Sequence, residues 1–497
     1  MEIFAGLAHV GTDPALLAWV FAGALIGMIV GAVPGLTASA AIAMLVPLTY
    51  YMDPLAALAF LYVIGKSGRY GGSIAAILFN TPGTAASAAT QIDGYPLARQ
   101  GKAGKAMKVA TLSSVMGDVF GEVVLIVGIG LIASIALRLG PPELFTIYFA
   151  AFVVIGSVIG ASIVKGLASA ALGVLISMIG LDPISGQDRY TFGVIELMDG
   201  VALVPLMIGI FVMGEVLEQA GKPAQAPELT TRTAHQAKAD NGLSWAEFRP
   251  CLPHVLRSSV IGTAIGMLPG LGSTIAAFVA YGEGKRHAAN ADQWGNGALE
   301  GVAAPEAANN AVSGPSMAPL LTLGIPGSTI GAILVGVFMI HGIQIGPTLF
   351  VTSSELMYSL FACGLIGIAA YGLMGYFGAA WVGRFIIRIP TAILYPLIML
   401  TAVAASYVSR GSLFDVGVMI VFGLVGWAMK RLGFNPAALV ISFVLAGGAE
   451  EAFRQSLRLS DTGLMIFVTR PIALAFLVIG IAALLLRIRQ LSRARAA

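Results

Sequence analysis

Two Pro-Gly dipeptides in strongly apolar sequence carry the clearest chemistry of this chain. Residues 80–84 read Asn-Thr-Pro-Gly-Thr, and residues 324–329 read Gly-Ile-Pro-Gly-Ser-Thr. Proline removes a backbone donor and glycine permits non-helical angles, so one helix ends before each dipeptide and another begins after it. The first N–H groups of a new helix are unpaired and carry partial positive charge. In a membrane, such a helix start predicts a binding site for an anion.

Short polar side chains surround both dipeptides and would complete that site. The alternative is that each dipeptide only kinks a packed helix, but its occurrence in two related segments favours a site. With polar residues from the preceding helices, the predicted substrate-binding set is Ser73, Asn80, Thr81, Pro82, Gly83, Thr84, Asn309, Asn310, Pro326, Gly327, Ser328 and Thr329.

An earlier break occurs in each of the same two segments. Residues 26–36 read IGMIVGAVPGL and residues 261–271 read IGTAIGMLPGL, which share the frame I-G-x-x-x-G-x-x-P-G-L. Two repeats of broken apolar helices are typical of secondary transporters, because unwound backbone inside a bilayer persists only where it lines a site. These earlier breaks could supply ligands for a coupling cation or could only shape the scaffold. The coupling-ion candidates are Pro34, Gly35, Thr37, Pro269, Gly270, Ser273 and Glu306.

Glu306 belongs to a polar helix face that precedes the second Pro-Gly dipeptide. Pro305 suits the first position of a helix, which would place Glu306, Asn309, Asn310 and Ser313 on one side. Polar groups at membrane depth are costly and by default indicate function. Glu306 could accept a proton or help to hold a cation, or it could cap its own helix near the surface.

The matching part of the first segment is basic. Lys66 or Arg69 could attract a carboxylate at an entrance, but a snorkelling surface charge is the favoured interpretation for both. With few cations expected at membrane depth, we predict anion recognition by N–H groups and hydroxyls. Asp118 and Glu122 lie one helical turn apart in an apolar span and could face a cavity or another subunit.

Composition defines the class of protein. Of 497 residues, 57% are hydrophobic and 11% are charged, whereas soluble domains average about 25% charged residues. The chain is therefore predicted to be an all-α polytopic protein that crosses the lipid bilayer about 10–12 times. No G-x-x-x-x-G-K-[ST] segment is present, and no arrangement of nucleophile and base stands out. We expect no enzyme activity, no cofactor, no use of ATP and no nucleic-acid partner.

The distribution of basic residues predicts the topology. Clusters at 99–108, 222–257, 384–388, 430–431 and 487–495 are placed in the cytoplasm, together with the C-terminus. Residues 1–14, 342–353 and the polar loop 450–464 then lie outside. The predicted organisation is a first half at 1–218 (repeat unit 15–108), a cytoplasmic linker at 219–254, and a second half at 255–497 (repeat unit 256–353). Residues 243–257 could form a surface helix or a disordered loop. The first unit enters the membrane from outside and the second from inside, so the two repeats are inverted.

Long motifs in this chain resemble the large membrane subunit of the tripartite tricarboxylate transporters, the TctA-type family. The resembling segments cover nearly the whole chain and include GAVPGLT at 31–37, YGGSIAAILFNTPG at 70–83, DGYP at 93–96, GVAAPEAANNA at 301–311 and LGIPGS at 323–328.

The resemblance implies a three-part importer in a bacterial inner membrane. A periplasmic substrate-binding protein would capture an organic carboxylate, and a small membrane subunit would accompany this chain. A gradient of Na⁺ or H⁺ would drive uptake by alternating access, with elevator-like or rocking movement of the repeats. The alternative is a carboxylate channel or exporter that works without a binding protein.

Overall fold

The structure is a computed structural model that describes residues 2–33, 36–158, 162–182, 184–221, 241–387 and 391–496. These residues form helices connected by short loops, together with one hairpin of two-residue strands. The elements of the first half are α1 Glu2–Thr12, α2 Pro14–Ala32, α3 Ala38–Leu45, α4 Pro54–Phe79, α5 Ser87–Arg99, α6 Ala103–Ala136, α7 Pro141–Val158, α8 Ile163–Ser177, β1 Gly180–Leu181, β2 Asp188–Arg189, α9 Leu203–Met207 and α10 Gly214–Ala220.

A π-helical segment, Ile208–Met213, joins α9 to α10. The elements of the second half are α11 Trp245–Phe248, α12 Leu252–Gly266, α13 Gly272–Arg286, α14 Leu299–Ala311, α15 Met317–Leu323, α16 Thr329–Ile340, α17 Leu349–Thr352, α18 Ser354–Ile387, α19 Thr391–Arg410, α20 Leu413–Arg431, α21 Pro436–Arg458, α22 Ile466–Thr469 and α23 Pro471–Ala496.

Three helices begin with the same local signal, an acidic or amide residue followed by proline. The Oδ1 atoms of Asp13, Asp53 and Asn435 each accept a backbone N–H of the first turn at 2.9 Å. Proline fits the next position because its missing N–H would have no partner there. These caps start α2, α4 and α21 where the apolar sequence begins.

The described part of the chain contains eight helices that are long and apolar enough to cross a membrane. Four shorter apolar helices accompany them, at Ala38–Tyr51, Pro141–Ser157, Ile163–Ser177 and Thr329–Ile340. The protein is therefore a multi-pass, all-helical membrane protein, while the total of 10–12 spans stays a prediction. Large apolar side chains such as Val127 and Phe377 point outward, as expected of helices solvated by lipid.

Helix α4 lies at the centre of the protein, with every residue from Leu55 to Ile77 buried. Its closest neighbour is α2, and glycines allow the two backbones to touch. A Cβ atom added at Gly31 would lie 2.2 Å from the carbonyl oxygen of Gly68, and one added at Gly71 would lie 2.4 Å from that of Met28. Small residues permit such close packing between membrane helices.

Helix α14 is a second enclosed helix. All its residues from Gly301 to Ala311 are buried, and it packs against α6 and α12. Glycines again sit against backbone carbonyls. A Cβ atom at Gly117 of α6 would lie 2.2 Å from the oxygen of Ala307, and one at Gly262 of α12 would lie 2.4 Å from that of Ala308.

Gly71→Ala is expected to destabilise the protein, because the added methyl group would displace the Met28 carbonyl. Overpacking of this kind costs about 1–3 kcal/mol. Gly130→Ala in α6 is the matched control, since nothing lies within 4 Å of its added Cβ and alanine favours a helix. Thermal unfolding in detergent measures both variants. Equal melting temperatures for the two would contradict the close contact of α2 and α4.

Two local predictions were wrong. Pro305 does not open its helix, because α14 begins at Leu299 and holds Pro305 in its interior. Residues 450–456 do not form a loop, because α21 continues to Arg458. Glu450 also has a defined partner, Arg189, whose Nη1 lies 2.7 Å from Glu450 Oε1.

Residues 222–240 of the predicted linker lie outside the described residues, and the part that follows packs on the start of α6. Gly104 N donates to Asn241 Oδ1 and Lys108 Nζ to Asn241 O, both at 2.9 Å. Lys105 Nζ lies 2.6 Å from Glu247 Oε1, and this hydrogen bond lowers the pKa of Glu247 to about 2. Within the segment 243–257, α11 is followed by a 3-10 turn at Arg249–Cys251 and then by α12, so residues 245–257 are helical.

Candidate functional site

The first Pro-Gly break separates α4 from α5 as the sequence predicts. Asn80 ends α4 in a left-handed conformation with φ 55°. Its backbone and side-chain oxygens both accept from Gln91 Nε2, at 2.8 and 2.6 Å. Thr81 is exposed and donates to Phe79 O at 3.1 Å. These two predicted residues therefore bond locally at the protein surface.

The remaining residues of the first break anchor it to the helices behind it. Gly83 N donates to Gly72 O at 3.2 Å, and a Cβ atom at Gly83 would lie 2.1 Å from Gly31 O. Pro82 is half-buried beside it. Thr84 and Ser87 bond to each other, with Thr84 N donating to Ser87 Oγ at 3.1 Å. The polar groups of the first break are thus used in hydrogen bonds within the break and to α4.

The second break faces the protein interior. Pro326 and Gly327 are buried, and Ser328 caps α16 by accepting from Gly331 N at 3.1 Å. Thr329 is the first residue of that helix. Gly270 N donates to Gly327 O at 3.2 Å, so the two breaks of the second segment are directly joined.

The other coupling-ion candidates from the earlier breaks are scattered. Pro34 and Gly35 lie outside the described residues. Thr37 caps α3 by accepting from Ala40 N at 3.2 Å. Pro269 is half-buried, and Ser273 lies in the first turn of α13. No shared ligand group connects Thr37 with Ser273 in the part of the chain that the structure describes.

A narrow polar cavity lies between α4 and the second break. It has room for about one water molecule. Arg69 is 7% exposed, and the hydrogen bond described for its guanidinium runs from Nη1 to Asn309 O at 3.4 Å. The lining residues are Tyr62, Gly65, Arg69, Ser313, Ser316, Met317, Ser328, Ile330 and Gly331.

Lys66 forms a buried ion cluster one turn before Arg69. Its Nζ lies 2.7 Å from Asp118 Oδ1 and 2.8 Å from Glu122 Oε2, and all three side chains are fully buried. Two tyrosines complete the cluster: Tyr62 donates to Glu122 Oε2 at 2.8 Å and Tyr371 to Asp118 Oδ2 at 3.2 Å. The interpretation of Lys66 and Arg69 as snorkelling surface charges was wrong, and so was the expectation of few cations at membrane depth.

Glu306 is held by hydroxyl groups from three other helices. Ser73 of α4 and Thr90 of α5 donate to Oε1, and Ser114 of α6 donates to Oε2 at 2.7 Å. The carboxyl group is fully buried. The sequence predicted Ser73 and Glu306 as site residues but did not connect them or single out Thr90 and Ser114.

Asn309 and Asn310 follow Glu306 by about one turn of α14, and both are buried. Asn310 Nδ2 donates to Glu306 O at 3.1 Å. Both polar atoms of the Asn309 side chain are buried without a hydrogen-bond partner. An unpaired buried amide is costly, which indicates a position that a bound water or ligand completes.

Comparison with known proteins identifies the family of this chain. Residues 17–441 match the sequence model of the tripartite tricarboxylate transporter TctA family. The chain belongs to this family. One relative is an uncharacterised 52.8 kDa protein from the TAR-I ttuC' 3' region of Agrobacterium vitis, 36% identical over 474 residues, which are 94% of this chain and 92% of the relative.

A second relative of this TctA-family protein comes from the same organism. It is an uncharacterised protein from the TAR-II ttuC' 3' region, 37% identical over 230 residues, which are 45% of this chain and 93% of the relative. Membership in the family makes the chain a membrane component of a tricarboxylate transporter, not an enzyme. The buried polar residues therefore belong to a transport protein.

Asp93 joins the two halves of this TctA-family protein. Its Oδ1 accepts the backbone N–H groups of Gly295, Gly297 and Ala298 at 2.8–2.9 Å, just before α14 begins. Its Oδ2 accepts from Tyr281 OH at 2.9 Å. A carboxylate from the first unit thus supports the start of the helix that carries Glu306.

Asp93→Ala is expected to lower the free energy of unfolding by about 2–4 kcal/mol, because several buried donors would lose their acceptor. Thermal unfolding in detergent measures the change. Asp292→Ala is the control, since Asp292 lies in the same loop and is exposed. A melting temperature for Asp93→Ala equal to that of the control would remove Asp93 as a structural link.

Proposed function

We propose that this chain is the translocation subunit of a binding-protein-dependent secondary transporter. It would import tricarboxylates or related organic carboxylates, driven by a Na⁺ or H⁺ gradient. The observation that carries the proposal is that the buried Arg69 lines a cavity at the start of α16. A small membrane subunit and a periplasmic substrate-binding protein would complete the system in a bacterial inner membrane.

The cavity offers the groups that carboxylates require. A guanidinium can donate two parallel hydrogen bonds to one carboxylate, and a helix start adds partial positive charge. Ser313, Ser316 and Ser328 place hydroxyls around the same space. Because the cavity holds about one water molecule, a tricarboxylate could enter only after α4 and the second break move apart. Such movement is what alternating access requires.

The packing of the helices supports two repeats of the same architecture. In the first unit α2 packs on α4 and on α18, and in the second unit α12 packs on α14 and on α6. The enclosed helix of each unit also contacts the helix that follows the second break of the other unit. Thus α4 packs on α16, and α14 packs on α5. This exchange of equivalent partners is the pattern expected of a pseudo-twofold repeat.

Two ion pairs join residues near helix ends. Asp182 pairs with Arg454 at 2.8 Å, and Arg454 lies in the segment 450–464 that charge counting places outside. This contact holds the pKa of Asp182 well below its usual range. Lys430, in the cluster 430–431 that charge counting places inside, pairs with Glu215 of α10. The cytoplasmic C-terminus is proposed from the basic residues of 487–495.

The decisive experiment is carboxylate uptake into vesicles that contain this chain, its small membrane partner and its binding protein. Sodium and proton gradients are imposed separately. Uptake that requires the binding protein and collapses with one gradient would support the proposal. Flux without the binding protein, or flux indifferent to both gradients, would favour the channel or exporter alternative.

Ser328→Ala is expected to reduce the apparent affinity for substrate about fivefold, because α16 loses a cap worth about 1 kcal/mol and the cavity loses a hydroxyl. Thr81→Val is the comparison, since Thr81 is exposed and bonds only within its own break. The concentration dependence of uptake measures both. A larger effect at Thr81 than at Ser328 would move the substrate site to the first break.

A further inference from the structure

We propose that Glu306 is the proton-binding site that couples the gradient to transport, an inference that rests on the proposed function. A proton would bind Glu306 while a substrate carboxylate binds Arg69. It would be taken up from the outside and released to the cytoplasm when the substrate leaves.

The bonding around Glu306 favours a proton over a metal cation. Ser73, Thr90 and Ser114 all turn their hydroxyl protons toward the carboxylate. A sodium ion would need a cavity of its own beside the carboxylate, with several oxygen lone pairs directed at it. A proton needs no such cavity. Once bound, the carboxyl group donates one hydrogen bond, and a single hydroxyl reverses its role.

Charge balance gives the reason for coupling. Lys66 and Arg69 carry two positive charges, which Asp118 and Glu122 balance with two negative charges. Glu306 has no ion pair with any Lys, Arg or His of the described ranges, so its carboxylate is an additional negative charge. A substrate carboxylate at Arg69 would add another. Charges in a dry site are expensive, so a proton on Glu306 favours substrate binding, and substrate binding favours the proton.

The same two helices hold the proton site and the substrate site. Arg69 and Ser73 lie one turn apart on α4, and Asn309 and Glu306 lie one turn apart on α14. Arg69 donates to Asn309 O, and Ser73 donates to Glu306 Oε1. Protonation removes the negative charge that strengthens the hydrogen bond from Ser73, and so weakens the attachment of α14 to α4. The cavity beside Arg69 can then open.

Other titratable groups surround this contact. Tyr70 of α4 and Tyr371 of α18 lie close enough to interact electrostatically with Glu306. The remaining groups on elements packed against α14 have partners or positions elsewhere: Asp93, Tyr95 and Arg99 on α5, Lys105, Lys108, Asp118 and Glu122 on α6, Arg249 and Cys251 in the turn after α11, His254 and Arg257 on α12, and Tyr281, Glu283, Lys285 and Arg286 on α13. His254 and the tyrosines are the groups whose titration must be distinguished from that of Glu306.

The test uses proteoliposomes with the complete transporter, citrate as the probe and a pH dye inside the vesicles. An inward proton gradient without sodium is expected to raise citrate uptake about tenfold and to acidify the lumen as citrate enters. Glu306→Gln should lose both responses, because an amide of the same shape cannot bind the proton. Glu300→Gln, on the first turn of the same helix, should retain both.

The outcomes separate the two proposals. Proton entry with citrate in Glu306→Gln, or wild-type uptake driven by sodium alone, would overturn the role of Glu306 and leave the proposed function intact. Wild-type uptake that needs neither the binding protein nor a gradient would defeat the proposed function itself. If Glu306→Gln does not fold, Ser114→Ala replaces it. Removing that donor to the carboxylate should shift the pH profile of uptake to higher pH, and an unchanged profile would overturn the inference.

Discussion

Arg69→Gln is expected to abolish carboxylate uptake at substrate concentrations that saturate the wild-type transporter. The guanidinium can donate two charge-assisted hydrogen bonds to a carboxylate, each worth about 1.5–3 kcal/mol. Losing both weakens binding by about a hundredfold or more. Nothing described nearby can replace this charge, because Lys66 is already committed to Asp118 and Glu122. The concentration dependence of uptake measures the loss.

Two further variants define what the Arg69 result means. Arg286→Gln removes an arginine that is 77% exposed at the end of α13, and it should leave the concentration dependence unchanged. Arg69→Lys keeps the charge but loses the planar donor pair, so an intermediate affinity is expected. Wild-type affinity in Arg69→Gln would show that the cavity is not the substrate site.

Lys66→Met is expected to cost about 3–5 kcal/mol of folding stability, because it removes the ammonium group that pairs with both buried carboxylates. For a membrane protein this loss should appear as a much lower melting temperature in detergent and a lower yield of folded protein. Transport would fall with the amount of folded protein.

Replacing the partners as well should reverse most of that loss. The triple variant Lys66→Met, Asp118→Asn and Glu122→Gln removes the charge while keeping similar side-chain volumes. Its melting temperature should lie closer to wild type than that of Lys66→Met alone. Lys430→Met, which breaks a surface pair with Glu215, is the control and should change the melting temperature little. Equal stability of the single and triple variants would contradict a desolvated ion cluster.

The local features of this fold follow from its sequence. The Pro-Gly rule places the end of α4 at Phe79 and a new helix after Gly83, and the structure has α5 beginning at Ser87. Family membership also follows from the long motifs around these breaks, as the match over residues 17–441 confirms. Both results depend on residues that are close together in the chain.

The errors concern contacts between distant residues. Lys66 was interpreted as a surface charge because a single helix does not reveal its partners, and Asp118 and Glu122 lie more than fifty residues away. A signal was present, however, since opposite charges in two apolar spans must pair or reach water. Likewise, Pro305 is tolerated inside α14 because the helices packed around α14 hold it in place. The carboxylate of Asp93, which caps the start of α14, contributes to this support.

The glycine contacts divide the centre of the protein into two groups of tightly packed helices. Helices α2 and α4 are in backbone contact at Gly31 and Gly71, and α6 and α12 are in backbone contact with α14 at Gly117 and Gly262. Helices in such backbone contact are not expected to slide past each other, because the carbonyl groups of the partner helix obstruct the movement. Between the two groups of helices, the hydrogen bonds of α4 are made by side chains, among them Tyr62, Lys66, Arg69 and Ser73. In the proposed transport cycle, movement along this boundary would expose both charge centres without unfolding a helix.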